Sequence, residues 1–296
     1  MSPLISAADL ARRLFDAPDG ARPVVLDVRW RLGGPPAEPD YLAGHLPGAR
    51  FVDLPTMLSA PPGPAGRHPL PDPVRLADEL ASVGVSDWSS VVCYDDADGS
   101  TAARAWWLLR WLGLPPDRVQ VLDGGYLGWA EEGFPVSREM PAAAPGRLAP
   151  RSGSMPVLDA EDAADTARRG VLLDARAPER YLGASEPVDP RAGHIPGARN
   201  APFARHVGPD GRWLAAERLA EHYRGLGVDD GARVGAYCGS GVTATSVVLA
   251  LEYCGLLPPE RPAALYAGSW SHWSSDPVRP AAVGPEPMAG PAEESR

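Results

Sequence analysis

The 296-residue chain contains no lysine, so every one of its 28 basic residues is arginine. That absence excludes Schiff-base chemistry on a lysine amine and a Walker-type phosphate loop, which requires Lys. Cysteine is scarce too, at three residues, too few for a disulfide framework in a chain this long, so free thiols are expected. No apolar run approaches the roughly 18 residues of a membrane span. Met1 to Ser6 has neither the basic nor the apolar stretch of an export signal. Positive charge is in deficit, with a formal net charge of -10, which argues against nucleic acid or an anionic membrane as partner. A small anion remains possible if one or two arginines are placed for it. These absences predict a cytoplasmic protein. Its 44% hydrophobic and 22% charged residues are those of a soluble globular chain, and its length favours two domains.

An internal repeat organises the chain. Val24-Val25-Leu26-Asp27-Val28-Arg29 recurs as Val171-Leu172-Leu173-Asp174-Ala175-Arg176, and the Gly44–Arg50 segment GHLPGAR as Gly193–Arg199, GHIPGAR. Val83–Asp87 parallels Leu226–Asp230, and Val91–Asp95 parallels Val234–Cys238. Val121–Gly125 with Trp129 answers Leu265–Ser269 with Trp273. Five blocks in one order at a nearly constant offset describe a duplicated domain. In each half, short apolar runs (Val24–Val28, Val91–Tyr94, Val119–Leu122) alternate with helical stretches such as Ala102–Leu112 and Ala244–Tyr253. That alternation predicts α/β domains with a mainly parallel sheet flanked by helices. The expected division is 1–140, a linker over 141–154 rich in Pro, Ala, Gly and Arg, 155–283, and a C-terminal tail over 284–296.

Ligands of such sheets bind beyond the carboxyl ends of the strands, which singles out the loops after Tyr94 and Tyr237. The second reads Cys238-Gly239-Ser240-Gly241-Val242-Thr243-Ala244 and runs straight into an apolar helix. Its glycines let successive N–H groups converge in an anion nest, and the helix adds its positive end. Together they favour a thiolate at Cys238, the nucleophilic form. A cysteine at a strand end can instead be an inert buried thiol, but the glycines, Ser240 and Thr243 weigh against that. In the first half the position is Asp95, in an acidic loop without cysteine. That half is expected to be catalytically inactive and to complete the site of the other.

The CGSGVTA loop, the GHIPGA segment and the duplication together resemble the two-domain rhodanese family, in detail its 3-mercaptopyruvate branch, from about Leu4 to about Pro280. The resemblance implies tandem rhodanese-like domains and sulfur transfer through a Cys238 persulfide, without cofactor or metal. The thiosulfate-specific branch has two cationic residues after the cysteine where this chain has Gly239 and Ser240, so the implied donor is 3-mercaptopyruvate, with thiosulfate the alternative. Carried over by position, Arg180 matches the arginine that binds the donor carboxylate, and Arg191 is offered for the second. Ser240 matches the serine beside the nucleophile, and His68 and Asp53 match its relay partners. Gly239, Gly241, Val242 and Thr243 form the loop that holds substrate and persulfide. Arg176 is read as a structural ion pair, His45 and His194 as structural, and Cys93, Cys254, Trp106, Trp107 and Trp111 as packing. The implied partners are a small-molecule sulfur donor and a thiol acceptor or cyanide, thioredoxin among the candidates. Two rival readings stay open. A cysteine phosphatase would carry an arginine six residues after the cysteine, where Ala244 stands, and a non-catalytic sulfur carrier would release sulfur only to one protein.

Overall fold

The computed structural model describes all residues except 19, 143 and 286–296, so most of the expected tail lies outside the described residues. The first half runs β1 (Leu4–Ile5), α1 (Ala7–Phe15), β2 (Val24–Asp27), α2 (Glu38–Ala43), β3 (Arg50–Phe51), α3 (Leu54–Met57), α4 (Pro73–Ser82), β4 (Val91–Tyr94), α5 (Ser100–Trp111), β5 (Val119–Leu122) and α6 (Gly125–Glu131). The second runs α7 (Ala160–Arg169), β6 (Val171–Asp174), α8 (Pro178–Tyr181), β7 (Arg199–Asn200), α9 (Ala216–Gly225), β8 (Val234–Tyr237), α10 (Ala244–Tyr253), β9 (Ala264–Leu265) and α11 (Ser269–Ser275).

The strands form two parallel sheets, ordered β1-β5-β4-β2-β3 and β7-β6-β8-β9. Val157 pairs in parallel with Leu265 of β9 and so takes the edge that β1 holds in the first sheet. The duplication thus reaches the sheet edge. β4, β5, β6 and β8 are buried at every residue, as expected of short, mostly apolar strands covered by helices on both faces.

α5 and α10 pack against each other, and one core runs through both halves, with Trp106 and Leu109 in the same cluster as Val247 and Leu251. Trp106 and Trp107 are fully buried, while Trp111 lies half-buried at the edge, stacked on Trp107 at 6.1 Å. Burying each of the first two removes on the order of 5 kcal/mol of apolar surface from water before chain entropy is set against it. Arg110 of α5 also meets Glu252 of α10 in a buried ion pair at 2.9 Å. In the expected linker, Gly146 N–H donates to Ala81 O at 2.7 Å and Arg151 N–H to Leu112 O at 3.1 Å, both in the first half. Among the described residues no helix is long and apolar enough to cross a membrane.

α5 starts at Ser100, two residues before the helix expected from the apolar pattern. The Asp95 carboxylate accepts from Thr101 and Ala102 N–H, both at 3.0 Å, and fixes that first turn.

Candidate active site

Cys238 follows β8 directly and is 2% exposed. Its own N–H donates to Ser269 Oγ at 3.1 Å, and its carbonyl accepts from Trp270 N–H at 2.9 Å. The Gly241 N–H donates to Cys238 Sγ at 3.1 Å. Gly241 has φ 80°, and a Cβ there would meet Ala267 O at 2.3 Å, so only glycine permits this turn. The N–H groups of Gly239, Ser240, Val242 and Thr243 find no hydrogen-bond partner among the described residues. These residues line one cleft with Cys238 and lead into the N-terminus of α10, a donor array suited to an anion.

The first half shows what such an array does when its anion is built in. Asp95 accepts from the N–H groups of Ala97, Gly99, Thr101 and Ala102 at 3.0 Å each, and from the Thr101 hydroxyl at 2.8 Å. Gly99, at φ 79°, is the counterpart of Gly241, and Thr101 of Thr243. The Asp95 loop is therefore an anion nest filled by its own carboxylate. It still serves the other half, because Ala97, Asp98, Ser100 and Thr101 line a cleft of about 320 Å³ shared with Cys238, Gly239, Ser240, Val242 and Thr243.

His68 crosses from the first half, its Nδ1 2.8 Å from Ser240 Oγ, with the Trp30 ring edge-on at 5.2 Å. Burial, with Arg104 and Arg67 nearby, lowers its pKa from 6.5 to about 4, so it is neutral near pH 7. Asp53 does not complete this pair. Its carboxylate caps α3, accepting from Thr56 N–H at 3.2 Å and from the Thr56 hydroxyl at 2.6 Å, and no hydrogen bond joins it to His68. Of the three residues expected to form a relay, the structure brings Ser240 and His68 together and leaves Asp53 at the start of α3.

Arg180 lines the cleft and donates to Glu186 at 2.6 Å and to Asp189 at 3.0 Å. Arg67, from the first half, pairs with the other oxygen of Asp189. Both guanidiniums close on Gly239, where a Cβ would come 2.9 Å from Arg67 Nη2 and 3.3 Å from Arg180 Nη1. Arg176 is held by Asp174 at 2.6 Å and Glu186 at 3.2 Å, the structural ion pair read from the sequence. Arg191 departs from expectation. Its guanidinium donates to the carbonyls of Trp273, Ser274, Asp276 and Arg279 at the end of α11 and does not line the cleft. His45 and His194 are buried, stacked on Tyr41 and Tyr181, with Nδ1 2.9 and 2.7 Å from those residues' carbonyls.

Arg67, Trp30, Asp98, Asp189, Arg104 and Ser269 were missed in the sequence. Arg104 left one signal there, a charge near the middle of a helix whose neighbouring residues are apolar or small on every side. Trp30, Arg67 and Asp98 become site residues only when the halves dock, and Asp189 and Ser269 are brought to Arg180 and Cys238 by the folding of the second half.

Two parallel α/β halves, with a cysteine nest in one and a self-filled nest in the other, define a duplicated cysteine-loop domain. A model of the rhodanese-like domain matches residues 6–132 and 158–276. The chain belongs to the rhodanese family. It is 45% identical over 290 residues to a probable 3-mercaptopyruvate sulfurtransferase of Pseudomonas aeruginosa, covering 95% of this chain and 98% of that one. It is 32% identical to the thiosulfate sulfurtransferase of Gallus gallus, over 91% of this chain and 92% of the other. Among solved structures it is similar to SseA of Escherichia coli, a 3-mercaptopyruvate sulfotransferase, at TM-score 0.78 and 30% identity over 92% of this chain and 100% of that one.

Proposed function

We propose that this chain is a sulfurtransferase that moves sulfur from 3-mercaptopyruvate through a Cys238 persulfide, with residues 155–283 catalytic and 1–140 completing the site. The Gly241 N–H on Cys238 Sγ, inside an otherwise unpartnered amide nest, carries this reading. The Cys238 thiolate attacks the donor sulfur, forming an S–S bond as the donor C–S bond breaks. The electron pair leaves on the enolate of pyruvate, which takes up the thiol proton of the donor, passed through the Ser240 hydroxyl that His68 orients. The nest holds the resulting persulfide anion until a thiol, cyanide or reduced thioredoxin removes the outer sulfur. Cys93, Cys238 and Cys254 are free thiols, which fits action in a reducing cytosol.

Charge supports the donor assignment. Around the cleft, the guanidiniums of Arg67, Arg176 and Arg180 are matched by the carboxylates of Asp174, Glu186 and Asp189. A neutral cluster of this kind suits a donor with one carboxylate, which Arg180 can meet through Nη1 on the Gly239 side, better than a dianion. Intact-mass analysis after mercaptopyruvate treatment should show one added sulfur in the wild type and none in Cys238→Ser. No gain in the wild type refutes the persulfide. A higher kcat/KM for thiosulfate refutes the donor.

A further inference from the structure

Arg104 is fully buried, and among the described residues it has no carboxylate partner. The other deeply buried arginines, Arg29, Arg110 and Arg176, are paired with Asp27, Glu252 and Asp174. Arg104 spends its donors on three carbonyls instead, Gly241 at 3.1 Å and Leu58 and His68 at 3.3 Å, and its Nε–H has no partner. A guanidinium taken out of water requires a counter-charge. Burial lowers its pKa to about 10, and the Cys238 sulfur acts against that fall, so it remains a cation near pH 7. One residue links the two groups: Gly241 gives its carbonyl to Arg104 and its N–H to Cys238 Sγ. The duplication breaks here. Counting back from Gly113 and Gly255 after the two helices, the counterpart of Arg104 is the neutral Ser246, and the Asp95 nest has no such cation from α10.

We propose that Arg104 is a positioning residue by which the first half makes the Cys238 sulfur an anion, anchoring Gly241 and supplying buried positive charge opposite the thiolate or persulfide. The proposal rests on Cys238 being the nucleophile, but its test needs no sulfur donor, so its failure is distinguishable from failure of the transfer reaction. The other charged and titratable groups around the cleft are Arg67, Arg176, Arg180, His68, Asp98, Asp174, Glu186 and Asp189. The three arginines are engaged by carboxylates, and His68 is neutral near pH 7.

The experiment follows iodoacetamide alkylation of Cys238 against pH, read by peptide mass so that Cys254 does not interfere. The midpoint of the wild-type rate against pH is the reference for the variants. Arg104→Met should move that midpoint up by about one pH unit or more, and Arg104→Lys should restore most of the shift. An unchanged midpoint in Arg104→Met overturns the proposal. Should the Met variant not fold, Arg104→Lys and the wild type carry the test. Their stability advantage over the matching Cys238→Ser proteins should grow from about pH 6 to about pH 9, because a thiolate favoured by folding stabilises only above its folded pKa. A constant difference overturns it.

Discussion

Ser269 has a backbone φ of 54°, and Gly125, its counterpart in the first half, has the same value. A non-glycine residue in this region costs roughly 1–2 kcal/mol. The second half tolerates that cost at the residue whose hydroxyl receives the Cys238 N–H and donates to Tyr266 O at 2.8 Å. In Ser269→Gly the relieved strain should offset the two lost hydrogen bonds, of about 1 kcal/mol each. Its stability should therefore stay within about 1 kcal/mol of wild type while kcat falls roughly tenfold, the Cys238 backbone being less firmly held. Ser269→Ala keeps the strain and loses the bonds, so it should be destabilised by about 2 kcal/mol as well as slowed. Paired urea melts and steady-state rates separate the two effects. Full activity in Ser269→Gly would show that the hydroxyl does not position the nucleophile.

At the scale of elements, the two loops after β4 and β8 are one device used twice. Four N–H groups and a hydroxyl converge on the Asp95 charge, whereas the Cys238 loop keeps its amides for a charge formed during reaction. If the fold prefers an anion at this point, Asp95→Asn should cost about 2–3 kcal/mol although its shape is unchanged, because an amide NH2 must face N–H donors. A chemical-denaturation midpoint equal to wild type would contradict that preference. Much of this device was legible in the sequence, because strand, glycine turn and helix start are consecutive and their chemistry is local. Arg191 and Asp53 were not legible in the same way. The carbonyls that hold Arg191 lie 82–88 residues away in sequence, and Asp53 is claimed by the helix it begins. Arg104 reaches Gly241 across 137 positions. That last contact depends on how α5 docks on α10, which no local pattern encodes.

For the whole molecule, that docking places His68 between the halves, and within the second half His206 is buried against Tyr223, its Nε2 2.6 Å from the phenol oxygen. Burial lowers both pKa values, to about 4 for His68 and about 3 for His206, from the 6.5 of an unfolded chain. Below pH 6.5 the unfolded chain therefore binds more protons than the folded one, and stability falls as pH is lowered toward about 4. At about 1.4 kcal/mol per pH unit for each fully shifted group, discounted for local relaxation, the two should remove about 3 kcal/mol in that window. Asp98, Asp123, Asp189 and Glu252 act in the opposite sense, since burial raises their pKa values and the folded state takes up their protons more readily. Their contribution enters at the acidic end, so the loss should be steepest between about pH 6.5 and about pH 5. Thermal melts of the wild type and of His206→Gln across that interval test the attribution. The glutamine variant should have a shallower slope, with His68, His222 and His272 carrying the remainder, and an unchanged slope would place the acid sensitivity elsewhere in the fold.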